Sequence, residues 1–238
     1  MSITIGATAV FNAGSGVTNS YTYTNSVTAG RGMWLGILWS ETGGTVTVSS
    51  ATVGADSATL VGTPAYNATT AWKSQVAYVP ALSASGTPTI TITFSATVAS
   101  SAIWSQELYD SVTGGIAVDG VGNAQGSTAN PTVNVTTGSN SSAIVAILEN
   151  SGGAAPTAGS GYTLSTIAWF QNESWEYKLN VGVAGTYAAN VTVAASQWTL
   201  AAAGFKASGG GGGFTALQRT TIGMTGNHAG GRQAQRSH

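Results

Sequence analysis

Thr89-Ile90-Thr91-Ile92-Thr93-Phe94 decides the fold. On an extended backbone this alternation puts Ile90, Ile92 and Phe94 on one face and three threonine hydroxyls on the other, whereas a helix would scatter both sets around its surface. The same period of two recurs at Tyr21/Tyr23, Val46/Val48, Val133/Val135, Trp175/Tyr177/Leu179/Val181 and Tyr187/Ala189/Val191/Val193, with Thr, Asn, Glu or Lys among the residues between. These are β-prone residues suited to a half-buried pleated surface. Ala143 to Leu148 is instead a continuous apolar run of strand length, as expected of a central strand covered on both faces. No stretch carries the i, i+3, i+4, i+7 stripe of an amphipathic helix.

Between these runs lie turn signals: AGRG at 29–32, TGG at 42–44, SASGTP at 83–88, TGG at 113–115, GNAQGSTANP at 122–131 and NSGGAAPTAGSG at 150–161. Their spacing predicts an all-β protein of about a dozen strands, arranged as an antiparallel β-sandwich of jelly-roll-like type. Residues 1–208 are read as one such domain. A two-domain alternative would divide near 122–131 or 150–161. No fixed-period repeat points to a propeller or β-helix.

Composition narrows the class. Of 238 residues 42% are hydrophobic and 6% charged, and the formal net charge is −1. Low charge combined with this hydrophobicity is the opposite of a disordered chain. With no cysteine, disulfides, thiol nucleophiles and thiolate metal sites are excluded. MSITIGATAV at the start has neither a basic segment nor an apolar run with a cleavage site, so no secretory signal is expected. Leu179–Phe205 is uncharged and long enough to suggest a membrane span but is interrupted by Asn180, Thr186, Asn190, Thr192, Ser196, Gln197 and Thr199, and its apolar residues recur every second position, which reads as strands.

The clearest boundary follows Ser208. Residues 209–213 are five glycines, read as a flexible linker, and residues 214–238 change character. Four basic residues (Arg31, Lys73, Lys178, Lys206) against eight acidic ones precede the linker, whereas three arginines, no acid and both histidines (His228, His238) follow it. The reading is a basic extended arm that docks on a partner through Phe214, Leu217, Arg219, Ile222, Met224, Arg232 and Arg236. Three arginines give only a weak, salt-sensitive footprint for nucleic acid.

Most catalytic constellations fail. A Ser-His-Asp triad needs a histidine held by the fold, and both lie beyond the linker. No metal-ligand spacing occurs, and no cofactor is expected. Glycoside hydrolysis needs only two suitably spaced carboxylates. Glu173 and Glu176 fall on opposite faces of a strand, while Glu107 and Glu149 could pair across strands. Otherwise these acids face solvent or pair with Lys73 and Lys178. Of seven tryptophans, Trp175 and Trp198 sit within strand alternation and belong to the core. Trp72 and Trp169 are the candidates for stacking on a glycan.

The segments GILWSE (36–41), TVTVSSATVGAD (45–56), SQVAYVPALSASGTPTITITFSA (74–96), SAIVAILEN (142–150), GYTL (161–164) and YKLNVGVAGTYAANVTVAASQWTLAAAGFKA (177–207) together resemble β-sandwich modules of tailed-bacteriophage virion proteins and some bacterial surface proteins. The resemblance spans residues 30–207 and implies a structural or adhesive role. With the missing export signal, the low charge and the glycine-linked arm, it leads to the expectation of a non-enzymatic virion component, assembled in the host cytoplasm, that decorates or cements the head through contacts with the major capsid protein or other virion proteins. Self-association into a homo-oligomer follows from the low charge. A tail-fibre or adhesin module binding host cell-surface carbohydrate is the alternative, and a glycosidase or esterase using Glu107 or Glu149 is the third.

Overall fold

The computed structural model describes residues 2–209 except 24, 153–154 and 168–169. Described residues form sixteen strands and no helix. In chain order these are β1 (Ile3–Ala13), β2 (Gly16–Thr22), β3 (Gly32–Ser40), β4 (Val48–Val53), β5 (Asp56–Ser57), β6 (Thr59–Asn67), β7 (Trp72–Val79), β8 (Thr89–Val98), β9 (Ser100–Asp110), β10 (Ile116–Gly126), β11 (Thr132–Thr137), β12 (Ala143–Asn150), β13 (Thr163–Ile167), β14 (Phe170–Lys178), β15 (Gly185–Asn190) and β16 (Trp198–Ala207). Every pairing between them is antiparallel.

Four sheets result. Sheet I is ordered β2-β8-β4-β5, sheet II β1-β9-β3-β7-β6, sheet III β10-β16-β12-β14-β13 and sheet IV β11-β15. Strand alternation dictates how they stack, because each strand with apolar residues on both faces must be covered twice. Along β3, Leu35, Ile37 and Trp39 join Ile90, Ile92 and Phe94 of β8 in one core, between sheets I and II. Trp34 and Leu38 of the same strand turn the other way and join Val145, Ile147, Trp175 and Phe205 in a second core, between sheets II and III. Ile144, Ala146 and Leu148 of β12 join Val133, Val135 and Ala189 in a third, between sheets III and IV. AIVAIL is thus a central strand covered on both faces, as its unbroken apolar run predicts.

The strand orders of sheets II and III are the same if β1, β9, β3, β7 and β6 are matched to β10, β16, β12, β14 and β13. Sheets I and IV match through β2-β8 and β11-β15, with β4 and β5 lacking counterparts. The chain therefore repeats one strand plan, in residues 3–110 and again in 116–207, and the two large sheets pack face to face. Gly36 permits the close approach at this seam, since a Cβ there would lie 3.0 Å from that of Ile147.

The turn signals at 29–32, 42–44 and 113–115 hold turns, with Gly43 and Gly114 at φ of 114° and 79°. The signal at 122–131 is only half a turn. Gly122 to Gly126 belong to β10 and pair with β16 from Ala202 to Trp198. The glycines of β10 serve close packing, because a Cβ on Gly120, just before this segment, would lie 2.3 Å from the Thr136 carbonyl oxygen and one on Gly122 2.6 Å from that of Asn134. No helix among the described residues is long and apolar enough to cross a membrane, and Leu179–Phe205 contains β15 and most of β16.

Candidate functional site

The seam between sheets II and III concentrates the unusual side chains. Ile147, Trp175 and Ala201 point into it from β12, β14 and β16, so by alternation Glu149, Glu173 and Thr199, each two residues away, point into it too. Register sets them side by side: Glu149 pairs with Thr199, and the step beyond Leu148↔Ser174 brings Glu149 next to Glu173. From sheet II, Ser74 faces the same interlayer between Trp72 and Val76 of β7. All four are buried, and one Oε2 of each glutamate, Thr199 Oγ1 and Ser74 Oγ have no hydrogen-bond partner. An aromatic stack adjoins them: Trp175 lies 4.0 Å from Trp104, 5.3 Å from Tyr177 and 6.1 Å from Trp34 between ring centroids.

Burial governs the electrostatics. It pushes Glu149 up to about 8, with the neighbouring Glu173 charge adding to the effect, and it raises Glu173 to about 8. On the opposite face of β14, Glu176 accepts from the Gly159 amide at 3.3 Å and is raised to about 7, burial outweighing that bond. Glu173 and Glu176 thus lie on opposite faces, as their spacing predicts.

The other acids are held in structural pairs. Glu107 lies on the face of β9 turned toward sheet I, accepting from the Ala7 amide at 2.9 Å, the Thr28 amide at 2.7 Å and Arg31 at 3.3 Å. It cannot meet Glu149, which faces sheet II from the next layer, so the cross-strand pairing of these two is corrected. Lys73 pairs with Glu41 at 3.1 Å, both nearly fully buried, and donates to the Gly44 and Val46 carbonyls. Asp119 is bound by Lys206 at 3.4 Å and by the Ser142 hydroxyl at 2.6 Å. Lys178 sits 5.5 Å from the Tyr162 ring centroid rather than on an acid. Glu149, Glu173 and Glu176 neither face solvent nor form an ion pair.

Trp175 and Trp198 are core residues, as expected, and Trp34, Trp39 and Trp104 join them in burial. Trp72 is half-buried and packs against the seam core near Ser74. Trp169 and the arm residues Phe214, Leu217, Arg219, Ile222, Met224, Arg232 and Arg236 lie outside the described residues. Two surface cavities, of about 220 and 150 Å³, lie elsewhere. The first is formed by Val53–Asp56 with Leu82–Ser85, Thr87 and Pro88, the second by Ile3, Ser139–Ser141, Lys206 and Ala207. Neither includes Glu149 or Glu173.

Sequence reasoning named Glu149 but paired it wrongly. A partner 24 positions along the chain becomes a neighbour only once the β12–β14 register is known. Burial moves both carboxyls the same way, and the charge of Glu173 bears on Glu149, so the two titrate as a coupled pair. Comparison of the chain with protein-family models, with curated proteins and with solved structures finds no match.

Proposed function

We propose that this chain is a non-enzymatic structural protein of a tailed-phage virion, a head decoration or head-fibre subunit acting through protein–protein contacts with the major capsid protein or with its own copies. The observation that carries this reading is the character of the two outermost sheet faces. On sheet I, Thr18, Ser20 and Thr22 of β2 lie beside Thr93, Thr91 and Thr89 of β8, with Ser50 and Thr52 of β4 next in rank. On sheet IV, Thr132, Asn134 and Thr136 face outward beside Asn190, Ala188 and Thr186. Neither face bears a charge. Hydroxyls bridge neighbouring strands, with Ser20 to Thr91 and Thr22 to Thr89 at 3.0 Å and Thr136 to Thr186 at 2.9 Å. Burying such a face against another protein strands no ion, which is the compositional bias of interface centres.

The strand plan agrees. The orders β1-β9-β3-β7 and β2-β8-β4-β5 support a jelly-roll reading, in which an eight-strand antiparallel ribbon folds twice and β6 is added at one edge. The second half follows it with a reduced outer sheet. Jelly rolls occur in capsid and lectin domains alike, so the test must separate the two. Purified chain is mixed with heads, and separately with tails and host envelope, of the phage whose virions carry it. Cosedimentation with heads at a fixed stoichiometry is expected. Binding confined to tails or to host glycan, abolished by Trp72→Ala, would replace the proposal with the carbohydrate-binding one.

A further inference from the structure

The seam between the two halves holds two carboxylates that no basic side chain answers. The four cationic side chains among the described residues are all placed elsewhere: Arg31 on Glu107, Lys73 on Glu41, Lys206 on Asp119 and Lys178 over Tyr162. Two buried acids on one face need either protons or a counter-ion. A second observation, independent of the acids, favours the ion. Thr199, fully buried, sets an unpartnered hydroxyl beside Glu149, and Ser74, also fully buried, offers another from the facing sheet. In this arrangement a proton shared by the carboxylates leaves both hydroxyls without a partner, whereas a cation takes up the orphaned oxygen of each carboxylate and both hydroxyls; the buried indole N–H groups of Trp104 and Trp175 are unpartnered in either case.

We propose that Glu149, Glu173 and Thr199, with Ser74 across the seam, bind a hard divalent cation of the calcium class that ties the two halves together. The donors are all oxygen, the set that selects such ions over zinc or copper. The orphaned oxygen of each carboxylate and the two hydroxyls make four oxygens; bidentate binding by both carboxylates would bring the set to six, the lower end of calcium's range. The charge of two carboxylates matches the ion. Among the described residues no three His, Cys, Asp or Glu side chains gather into a metal-binding group, so the hydroxyls are indispensable to this site.

The test uses the full chain in EDTA and then with calcium at about 1 mM, the weak end of protein calcium sites. Calcium should raise the melting temperature by several degrees, since a ligand held only by the folded state stabilises it. Glu149→Gln/Glu173→Gln, which keeps the shape of both side chains, should abolish the rise. Terbium, a calcium substitute, should emit when Trp175 and Trp104 are excited, and calcium should quench that emission by displacement. Thr199→Val keeps both acids and should weaken terbium binding severalfold, a readout available even if the double variant does not fold. A melting temperature indifferent to calcium and EDTA, with no terbium emission, overturns the proposal and leaves the pair sharing a proton. A calcium response that persists undiminished in both variants overturns it as well, by placing the ion elsewhere.

Discussion

Gly122→Ala probes the packing of the second half most sharply. A Cβ at this position would sit 2.6 Å from the Asn134 carbonyl oxygen and 2.7 Å from Val133 Cγ2. Ordinary carbon contacts lie near 3.5–4.0 Å, so β10 would have to move off β11 by about 1 Å. A backbone oxygen has no rotamer by which to escape. Moving β10 instead strains its ladder with β16, where Gly122 pairs with Ala202. The expected cost is about 2–3 kcal/mol, the upper part of the range for overpacking, or about 4–12 °C in melting temperature for a chain of this size. Thermal and urea unfolding followed by tryptophan fluorescence would measure it. Gly14→Ala, where an added Cβ meets nothing within 4 Å, is the control and should stay within about 0.5 kcal/mol of the parent. Were Gly122→Ala as stable as Gly14→Ala, residue 122 would be the open turn that its sequence context indicates, and the packing of sheet III on sheet IV would be refuted.

Lys73→Met should destabilise the protein by about 3–5 kcal/mol in urea unfolding, because Glu41 would be left as a buried charge without its 3.1 Å partner; a change under about 1 kcal/mol would contradict that burial. Glu176 carries a pH dependence of known sign. Its carboxyl titrates at about 7 in the fold against 4.5 when exposed, so the folded state holds the extra proton between those values. Its contribution is complete below 4.5, falls as pH rises through the window, and levels off above about 7, a difference of about 3 kcal/mol. Glu176→Gln should remove that share, so its stability curve should diverge from the parent's between about pH 5 and 8; parallel curves would show that Glu176 titrates normally.

The local pattern was legible because alternation is a property of each strand alone. Residues 89–94 and 143–148 announce one-sided and two-sided burial without reference to any partner. The duplication was not, for a physical reason. Ile3 opens the first copy and Ile116 the second, an offset of 113, while β8 opens at Thr89 and its counterpart β15 at Gly185, an offset of 96. Loss of β4 and β5 from the second copy shifts the period midway, so no constant spacing runs through the chain. Between matched strands, moreover, the inward positions keep only apolar character: β8 turns Ile90, Ile92 and Phe94 into its core, and β15 turns Tyr187 and Ala189 into its own.

Glycine misled in the same way. In sequence, a glycine needed for an open turn and one needed for close packing look alike, and GNAQG belongs to the second kind. The seam site was half visible. Glu149 stands out beside an apolar run, yet its neighbours Glu173 and Thr199 come from strands that only the sheet order brings together. Glu107, equally conspicuous, is diverted by one layer because its place on β9 turns it toward sheet I.

Electron cryo-microscopy of intact virions that carry this chain would test the structural role most directly. The account predicts copies at regular positions on the head, with the four-sheet body of residues 2–209 resolved and an uncharged face of sheet I or sheet IV against a neighbouring protein. Density confined to a tail tip, or copies whose two hydroxyl-bearing faces both stand free in solvent, would contradict it.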